Sequence, residues 1–449
     1  MHFLAIIGGG PAGYTAAELA SKAGKDVILF EQTALGGTCL NVGCIPTKTL
    51  LYCAKQYHNA THAQKFGVTA QNVTFDFANM QKRKTIVVRK LVAGIRQRLN
   101  NEHCTVINGA ANVLSRTDEL VNITCNGETY QAQNLLICTG SSNFVPPIPG
   151  IQDNPFIWDS TAALAATELP QSVIIVGGGV IGMEFATLYN ELGITVTIIE
   201  AMPRILATLD ESISAYLTTV YSKRGVNILT STKVTAFNGN TVQLLTSDSE
   251  AIQQLSADKI LVCVGRRANI QGLEALNDLE YIRGAIVVDD FMHTNLPNVY
   301  AAGDVTGKIM LAHVASRQAE VAVGRMLKQI PVQRIAYNAI PSVVYTNPEV
   351  ASVGITENDL EGCEEHTLPM TFSGRFMAEN EGETGLCKLV VNTKSQTIMG
   401  VHVVGNPASE FIAAAAFAVR MGYTLPEFRQ VVFPHPTVSE ILREAVNDK

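Results

Sequence analysis

Two cysteines in a glycine-rich segment are the residues of this 449-residue chain whose types and spacing most directly suggest chemistry. Cys39 and Cys44 are separated by four residues within GGTCLNVGCIPTK. In an ideal α-helix, residues five apart lie roughly 8.7 Å from each other at Cα, which is too far for a relaxed disulfide. A bridge therefore requires a bend, and Gly43 can supply unusual backbone angles there. Because a disulfide over so short a turn is easier to reduce than a structural one, the pair is predicted to be a catalytic dithiol.

The same residues permit two other interpretations. Cys39 and Cys44 could be half of a zinc site that Cys53, His58 and His62 complete, although structural zinc sites favour closer pairs. They could also be two unpaired thiols in a buried helix. Each interpretation demands different surroundings, so the neighbouring elements bear on the choice.

The composition is that of a soluble α/β protein with two to four domains, because the chain is long and 47% hydrophobic, with 35 glycines. The net charge of -7 provides no basic field for a nucleic-acid backbone, so nucleic acid is not an expected partner. No apolar run approaches the roughly 20 residues that span a bilayer, and the amino terminus shows no export signal. We therefore expect no membrane insertion and a cytoplasmic location, with the scattered remaining cysteines as buried thiols.

An apolar strand, a glycine turn, a helical pattern and a second strand open the chain. Gly8, Gly10 and Gly13 form a G-x-G-x-x-G motif, where backbone N–H groups and the helix dipole attract a pyrophosphate. Glu31 ends the second strand about 20 residues further on, where a carboxylate can accept hydrogen bonds from a ribose. The agreement of all these features predicts a dinucleotide site.

The pattern recurs in VIIVGGGVIGMEFATLYNELGITVTIIE, where Gly177, Gly179 and Gly182 repeat the phosphate turn. Glu200 lies as far beyond this motif as the first acid lies beyond its own. A 2′-phosphate beside Glu200 would be repelled by several kcal/mol at an effective dielectric near 20, and only Arg204 follows as a nearby cation. The second site is therefore expected to bind NAD rather than NADP.

The segment GGTCLNVGCIPTK closely resembles the active-site segment of the flavoprotein disulfide reductases, the family of dihydrolipoamide dehydrogenase and glutathione reductase. The resemblance implies a redox-active disulfide, with Cys39 as the interchange thiol and Cys44 as the flavin-side thiol. A hydride donor needs an intermediary that takes hydride and attacks sulfur, which is flavin chemistry. The first site is accordingly expected to hold FAD.

The resemblance also implies roles for residues around the cofactors. Thr38, Cys39 and Lys48 would contact the flavin, and Glu184 would pair with Lys48 where hydride passes. Plainer alternatives are a solvated Lys48 and an exposed helix glutamate at 184. The other residues implied to line the FAD are Ala110, Thr139, Gly140, Asp304, Met310, Leu311, Ala312 and His313. Gly265 ends a strand of the second nucleotide site as Gly140 ends one of the first.

Near the carboxyl terminus, FPHPTVSE contains His435 and Glu440. Thr437 and Glu440 fit a T-x-x-E capping box, which is a structural explanation for the glutamate. The resemblance implies a second role, in which His435, oriented by Glu440, reaches the partner subunit's dithiol as acid and base. It also implies that the region from about Tyr337 onwards is an interface domain and that the protein is a homodimer.

The predicted fold is α/β, with two Rossmann-like dinucleotide-binding domains and a C-terminal α+β interface domain. The expected divisions are an FAD-binding domain at 1–142, an NAD-binding domain at 143–264, a central segment at 265–335 that completes the FAD domain, and an interface domain at 336–449.

Within the family, the chain looks most like the dihydrolipoamide dehydrogenases. That resemblance implies NAD-dependent oxidation of lipoyl dithiols carried by an acyltransferase or H-protein of another chain, in 2-oxoacid dehydrogenase or glycine cleavage complexes. Mercuric ion reductases and large thioredoxin reductases carry a further thiol pair, whereas no cysteine follows Cys387. A glutathione-reductase-like or metal-ion reductase and a non-catalytic flavoprotein subunit remain as alternatives. Thr47, Cys138 and Pro434 depart from the usual family residues, and Pro434 leaves the loop before His435 undefined.

Overall fold

The structure is a computed structural model that describes residues 1–247, 251–328, 334–356, 361–380 and 382–448. Its strands, in chain order, are β1 (His2–Ile7), β2 (Val27–Glu31), β3 (Cys104–Asn108), β4 (Ala111–Arg116), β5 (Val121–Cys125), β6 (Glu128–Ile137), β7 (Ser141–Asn143), β8 (Ile157–Trp158), β9 (Ser172–Val176), β10 (Thr195–Ile199), β11 (Asn227–Leu229), β12 (Thr232–Asn238), β13 (Thr241–Thr246), β14 (Gln253–Ser256), β15 (Lys259–Val262), β16 (Arg266–Ala268), β17 (Tyr281–Ile282), β18 (Ala285–Ile286), β19 (Val299–Ala301), β20 (Ser342–Val344), β21 (Val350–Gly354), β22 (Cys363–Leu368), β23 (Leu386–Asn392) and β24 (Ile398–Val404).

The helices are α1 (Pro11–Lys22), α2 (Gly37–Val42), α3 (Cys44–Thr61), α4 (Phe77–Leu99), α5 (Ser160–Ala165), α6 (Val180–Glu191), α7 (Glu211–Lys223), α8 (Ala312–Met326), α9 (Gly374–Glu379), α10 (Ala408–Met421), α11 (Leu425–Phe428) and α12 (Glu440–Asn447). Short 3₁₀ helices lie at Ala63–Phe66, Asp304–Thr306, Tyr337–Ala339 and Met370–Phe372. In the described ranges, no helix combines the length and the apolar character needed to cross a bilayer.

A sheet of order β3-β2-β1-β6-β5-β4, with β19 paired to β6, organises the amino-terminal part of the chain. Its central strands are parallel, with Ile7 opposite both Phe30 and Ile137. These strands are apolar runs because both faces of the parallel region are covered. The parallel register brings the carboxyl ends of β1, β2, β3, β6 and β19 to one edge, which is where ligands bind in open α/β sheets.

A second parallel sheet, of order β11-β10-β9-β15-β8, repeats this arrangement. The antiparallel strands β12, β13 and β14 form a separate sheet beside it. The chain enters and leaves this part of the molecule through β7 and β16, which pair antiparallel. Helix α6, which opens at the second glycine motif, packs against α3, which carries Cys44.

The C-terminal part is built on an antiparallel sheet of order β20-β21-β24-β23-β22. Helix α10 packs on β21 and β24, and α12 packs on β23. The apolar side of α12 supplies Ile441, Leu442, Ala445 and Val446 to that core. A mixed sheet with a parallel centre, a parallel sheet and an antiparallel sheet, together with their helices, confirm the predicted α/β fold class.

Candidate active site

Cys39 and Cys44 form a disulfide, and their Cα atoms are 4.7 Å apart. Cys39 lies in α2 and Cys44 begins α3, so the helical path breaks at Gly43. A Cβ atom at Gly43 would lie 2.9 Å from the carbonyl oxygen of Thr38, a separation too short for ordinary packing. The predicted bend is therefore present, and glycine is needed there because the two helix ends approach closely.

The disulfide decides between the three interpretations of the cysteine pair. Because the two sulfur atoms are bonded to each other, the alternative of unpaired thiols is wrong and the sulfurs are not zinc ligands in this state. His58 and His62 stack on one another, with ring centroids 4.1 Å apart. Within the described ranges, no three His, Cys, Asp or Glu residues group as metal ligands.

Lys48 and Glu184 form an ion pair between α3 and α6. The Lys48 Nζ atom lies 2.8 Å from both carboxylate oxygens of Glu184. Glu184 is buried, with 4% of its surface exposed. Lys48 is one helical turn beyond Cys44, on the same side of α3. The solvated lysine and exposed glutamate alternatives are therefore wrong. The pair joins the disulfide helix to the helix that opens at the second glycine motif.

In the first glycine motif, two positions have no room for a side chain because backbone atoms lie too close, and the third faces open space. Gly8 has φ +104°, and a Cβ there would overlap the carbonyl of Cys138. A Cβ at Gly13 would overlap the carbonyl oxygen of Gly8, whereas one at Gly10 would meet nothing closer than 3.8 Å. A pyrophosphate fits the space beside Gly10, at the start of α1.

The second motif shows the same geometry. Gly177 has φ +108°, and a Cβ at Gly182 would overlap the Gly177 carbonyl oxygen. A Cβ at Gly179 would meet no atom within 4 Å. The repeat predicted from the sequence is therefore a repeat in space, and both cradles fit a dinucleotide phosphate.

The acids that follow the two motifs make matching contacts. Glu31 accepts a hydrogen bond from the Gly9 N–H at 2.7 Å, and Glu200 accepts one from the Gly178 N–H at 2.7 Å. Both carboxylates thus lie against a glycine turn, where a ribose would sit.

The residues implied to line the flavin mostly follow strands of the first sheet. Thr38 opens the disulfide turn, Ala110 follows β3, Thr139 and Gly140 follow β6, and Asp304 follows β19. The Thr139 hydroxyl donates to the Asn269 carbonyl at 2.6 Å. Asp304 accepts a hydrogen bond from the Ser141 hydroxyl at 2.6 Å. The shared parallel register therefore brings the carboxyl ends that carry these residues to one edge.

The segment MLAH lies at the start of α8. Met310 and Leu311 precede the helix, and Ala312 and His313 are its first two residues. The His313 Nε2 atom lies 2.9 Å from the carbonyl oxygen of Pro341. Because a carbonyl only accepts, Nε2 carries the proton.

Three residues that the sequence prediction missed, Arg266, Gln318 and Tyr345, hold these groups in place. The guanidinium of Arg266 donates to the Ser141 hydroxyl at 2.7 Å, and burial lowers the pKa of Arg266. The buried Gln318 amide oxygen accepts from the Gly303 N–H at 2.6 Å, ahead of Asp304. The Tyr345 N–H donates to Glu184 at 3.1 Å. The sequence signals were an amide on a helix of small apolar residues and an arginine directly after Gly265, which lies between β15 and β16.

His435 and Glu440 form the pair that the family resemblance implied. The His435 Nδ1 atom lies 3.0 and 3.2 Å from the two carboxylate oxygens of Glu440. The histidine side chain is 81% exposed and the glutamate side chain 14%. A hydrogen bond from the Thr437 N–H, and then one from His435, lowers the pKa of Glu440. The imidazole is thus oriented at Nδ1, and its exposed ring can reach groups beyond its own chain.

The predicted capping box at these residues is only half formed. The Glu440 carboxylate accepts from the Thr437 N–H at 2.8 Å, but the Thr437 hydroxyl donates to the Pro434 carbonyl at 2.8 Å. Helix α12 begins at Glu440, with Ser439 as its N-cap and no side-chain cap. The prediction of a complete box is wrong because the Pro434 carbonyl binds the threonine hydroxyl instead.

Two family models match the chain over nearly its whole length. Residues 2–319 match the model described as pyridine nucleotide-disulphide oxidoreductase, and residues 340–446 match the dimerisation domain of the same family. The chain belongs to the pyridine nucleotide-disulphide oxidoreductases. This membership confirms the predicted resemblance, and the C-terminal antiparallel sheet is the dimerisation domain.

Several members of this oxidoreductase family are similar to the chain over their full length. Dihydrolipoyl dehydrogenase of Mycoplasma genitalium is 37% identical, with 98% of this chain and 97% of the relative covered. Dihydrolipoyl dehydrogenase of Geobacillus stearothermophilus is 35% identical, with 98% and 94% covered. The corresponding enzyme of Thermus scotoductus is 37% identical, with 98% and 96% covered.

Two solved structures share the fold. LpdA from Mycobacterium tuberculosis superimposes with a TM-score of 0.91 at 26% identity, covering 100% of this chain and 99% of that one. The Cu(II) complex of RclA, an HOCl-induced flavoprotein disulfide reductase from Escherichia coli, gives 0.86 at 30% identity, with 99% of each chain covered.

Proposed function

We propose that this protein is an FAD-dependent dihydrolipoamide:NAD oxidoreductase. The observation that carries the proposal is the Cys39–Cys44 disulfide at the start of α3, a helix linked through Lys48 to Glu184 beside the second nucleotide cradle. The family membership and the full-length similarity to dihydrolipoyl dehydrogenases support it.

The two cradles fit the two cofactors. Gly10 and Glu31 would hold FAD in the first, with Asp304 and the start of α8 beside it, and Gly179 and Glu200 would hold NAD in the second. When bound, FAD supplies the carrier of an electron pair between the dithiol and the nicotinamide. The negative charge of Glu200 favours NAD because a 2′-phosphate there would be repelled.

The cysteines perform the exchange with the substrate dithiol. A dihydrolipoamide thiolate attacks Sγ of Cys39, which breaks the Cys39–Cys44 bond and releases Cys44 as a thiolate. The second substrate thiolate then attacks the substrate sulfur of the mixed disulfide, releases the Cys39 thiolate and leaves oxidised lipoamide. The substrate has lost two electrons and two protons, and the cysteine pair holds the two electrons.

His435 and Glu440 manage the protons of this exchange. In a homodimer, the partner's His435 takes the proton of the first attacking thiol, releases it to solvent and then takes the proton of the second, because an imidazole nitrogen can both accept and release a proton. Its Nδ1 contact to Glu440 fixes the ring and leaves Nε2 for the substrate. Lys48 and Glu184 fix a charge pair beside the path between dithiol and nicotinamide.

The proposed assembly is a homodimer that works in the cytoplasm on lipoyl groups carried by an acyltransferase or H-protein. The dimerisation domain at 340–446 supports the homodimer. In this proposal the lipoyl group belongs to that other protein.

An anaerobic assay of the purified yellow protein tests this function. NADH and NADPH are compared as donors to lipoamide, glutathione disulfide, mercuric ion and Cu(II), and NAD is the acceptor in the reverse direction. Fast lipoamide turnover with NADH alone is expected. Cu(II) is included because a similar solved structure is a Cu(II) complex of a disulfide reductase. Faster reduction of a metal ion or of glutathione disulfide would overturn the substrate assignment.

Two cysteine variants separate turnover from a purely structural role. Cys39→Ser should abolish lipoamide reduction and leave FAD bound, because the serine keeps the turn but not the attacked sulfur. Cys44→Ser should also abolish lipoamide reduction, and this variant should still assemble with the acyltransferase. If both variants retained full lipoamide turnover, the proposed exchange would be wrong.

A further inference from the structure

A short segment of the dimerisation domain, residues 341–347, contacts three residues implied to lie at the flavin. The Pro341 carbonyl accepts the His313 Nε2 proton at 2.9 Å. The Tyr345 N–H donates to Glu184 Oε1 at 3.1 Å. The Tyr345 ring lies under the Lys48 ammonium, with Nζ 4.6 Å from the ring centroid.

Hydrogen bonds to the second nucleotide domain hold this segment firmly. The Asn347 side-chain amide donates to the buried carboxylate of Glu191 at 2.7 Å, and the Asn347 N–H donates to the Tyr221 hydroxyl at 3.2 Å. The guanidinium of Arg224 donates to the Asn347 carbonyl. The position of Tyr345 is therefore fixed by α6 and α7 and not only by the preceding strand β20.

Tyr345 contacts both charges of the ion pair. The Glu184 carboxylate accepts from Lys48 and from the Tyr345 N–H, so the backbone amide sets the carboxylate orientation. The negative face of the Tyr345 ring contacts the Lys48 ammonium, which at the same time binds the Glu184 carboxylate. An ammonium on a flexible stem has many rotamers, and contacts to a carboxylate and a ring restrict it to few.

We propose that Tyr345 is a positioning residue that holds the Lys48–Glu184 pair in its working arrangement, so that the dimerisation domain helps to build the flavin site of its own chain. This inference rests on the proposed function, in which the pair lies beside the path of the electron pair. A purely structural tyrosine is the competing explanation, because the ring also packs against the core beneath α6.

A double-mutant cycle separates these explanations. The variants are Tyr345→Phe, Tyr345→Leu, Lys48→Met and the Tyr345→Leu/Lys48→Met pair, all as FAD-loaded dimers. Tyr52→Leu is the matched control, because Tyr52 also lies under a cation, with Arg83 5.6 Å from its ring centroid, but on the exposed surface. The measurements are the rate of anaerobic flavin reduction by NADH, the flavin midpoint potential and the FAD dissociation constant of the reconstituted apoprotein.

Tyr345→Phe should stay within twofold of wild type, because it keeps the ring and the backbone N–H. Tyr345→Leu should slow flavin reduction about 5- to 30-fold, which is roughly 1 to 2 kcal/mol, and shift the midpoint potential. In the Lys48→Met background, Tyr345→Leu should add no further loss. Tyr52→Leu should leave the rate and the potential unchanged.

Equal, additive losses in both backgrounds, or an unshifted midpoint potential in Tyr345→Leu, would overturn the proposal. If Tyr345→Leu does not fold, Tyr345→Met enters the same cycle with the same expectations. Flavin reduction by NADH does not involve the dithiol substrate. A wild-type protein that reduces its flavin with NADH but ignores lipoamide would therefore contradict the proposed function alone.

Discussion

The two ribose-side acids show how a single charge can set cofactor choice. Glu31 is buried, and its Oε1 atom accepts from the Thr33 N–H and hydroxyl at 2.7 and 2.9 Å. At Glu200, Oε1 accepts only from the Met202 N–H among the described contacts, at 2.8 Å. Glu200 thus keeps more of its charge available to a nucleotide at the second cradle.

Glu200→Gln should weaken the preference for NAD over NADP. The amide keeps an oxygen that can accept from the Gly178 N–H. It removes the repulsion between the carboxylate and a 2′-phosphate, which is about 3 to 4 kcal/mol at 4 to 6 Å and a dielectric of 20. The preference for NAD should therefore fall tenfold or more. The measurement is the ratio of kcat/KM for the two nucleotides. Glu168→Gln, an exposed glutamate of the same domain, is the control. An unaltered ratio in Glu200→Gln would mean that another group selects the nucleotide.

Contacts between residues close in the sequence could be predicted, whereas contacts between residues far apart in the sequence could not. The disulfide and the glycine turns depend on stretches of a few residues, so their spacing carried the prediction. Ser141 contacts Asp304 across 163 positions, and Tyr345 contacts Glu184 across 161. No local pattern encodes such contacts, because they depend on how whole domains pack.

At the scale of elements, the strand-turn-helix units fix the glycine motifs by backbone contact. Gly13 faces the Gly8 carbonyl, whereas Gly10 faces open space. Helix α1 and strand β1 are therefore packed too closely for a side chain at the third glycine. The same holds for Gly182 in α6.

Gly13→Ala should prevent the first nucleotide fold from forming, because its Cβ would meet backbone that cannot move aside. Gly10→Ala should leave the apoprotein folded and weaken FAD binding at least tenfold, because its Cβ occupies the space proposed for pyrophosphate. Circular dichroism and FAD titration of the apoprotein measure the two effects. Equal FAD affinity in wild type and Gly10→Ala would place the phosphate elsewhere.

The N-cap of α7 is tied to β23 by a buried ion pair. Asp210 accepts from the Ser212 N–H at 3.0 Å and from Lys388 Nζ at 2.8 Å, and both side chains are almost fully buried. Burial alone would raise the pKa of Asp210, but hydrogen bonds from Lys388 and Ser212 outweigh it and lower the pKa to about 2. The pair thereby couples the second nucleotide domain to the dimerisation domain.

Because the folded pKa of Asp210 lies below the unfolded value, its contribution to stability is present above about pH 4 and is lost as pH falls towards 2. Asp210→Asn leaves Lys388 paired with the partly exposed Glu365, so the loss of the buried partner should cost about 1.5–3 kcal/mol at neutral pH rather than the larger cost of a fully unpaired buried charge. It should also flatten the acid loss of stability between pH 4 and 2. Urea midpoints from pH 2 to 7 measure both effects.

Asp118→Asn is the control for this prediction, because Asp118 pairs with Arg116 at the exposed surface. Exposed pairs contribute little, so its urea midpoint should match wild type at every pH. An Asp210→Asn protein as stable as this control would show that the buried pair contributes nothing to holding the two domains together.

At the scale of the whole molecule, the dimerisation domain leaves large apolar side chains exposed in a single chain. These include Phe372, Met377, Phe417, Met421 and Val432, the last 91% exposed. Apolar surface of this kind in one domain is typical of a protein interface. His435, exposed near Val432, would then face the partner.

Subunit mixing tests whether each active site is shared. Cys44→Ser and His435→Gln dimers are each expected to be inactive with dihydrolipoamide. After the two variants are dissociated and reassociated in equal amounts, half of the dimers are mixed. In each mixed dimer, one site combines an intact dithiol with an intact His435 and the other site has neither. About one quarter of wild-type activity should therefore return. Mixing Cys44→Ser with Cys39→Ser should restore none. Failure of the first mixture to recover, with mixed dimers present, would place His435 and the dithiol in the same chain.

The fold class was predicted because the strand-turn-helix pattern with its glycine motif occurs twice, whereas the interface domain was predicted from the family resemblance. The capping-box prediction was wrong because it considered a single partner for the Thr437 hydroxyl, whereas in the folded loop this hydroxyl donates to the Pro434 carbonyl. The contacts of Asp210 and Tyr345 depend on packing between domains, which periodicity within a domain does not describe.

Labelling of the two cysteines shows whether electrons pass from the substrate through the disulfide. The oxidised enzyme is treated anaerobically with dihydrolipoamide, then alkylated and mapped by mass spectrometry, with and without NAD added before alkylation. If the disulfide carries the electrons, Cys39 and Cys44 should gain label after dihydrolipoamide and lose that gain when NAD is present, while the other cysteines should not change. If NADH forms and Cys39 and Cys44 remain unlabelled without NAD, the electrons do not pass through this disulfide.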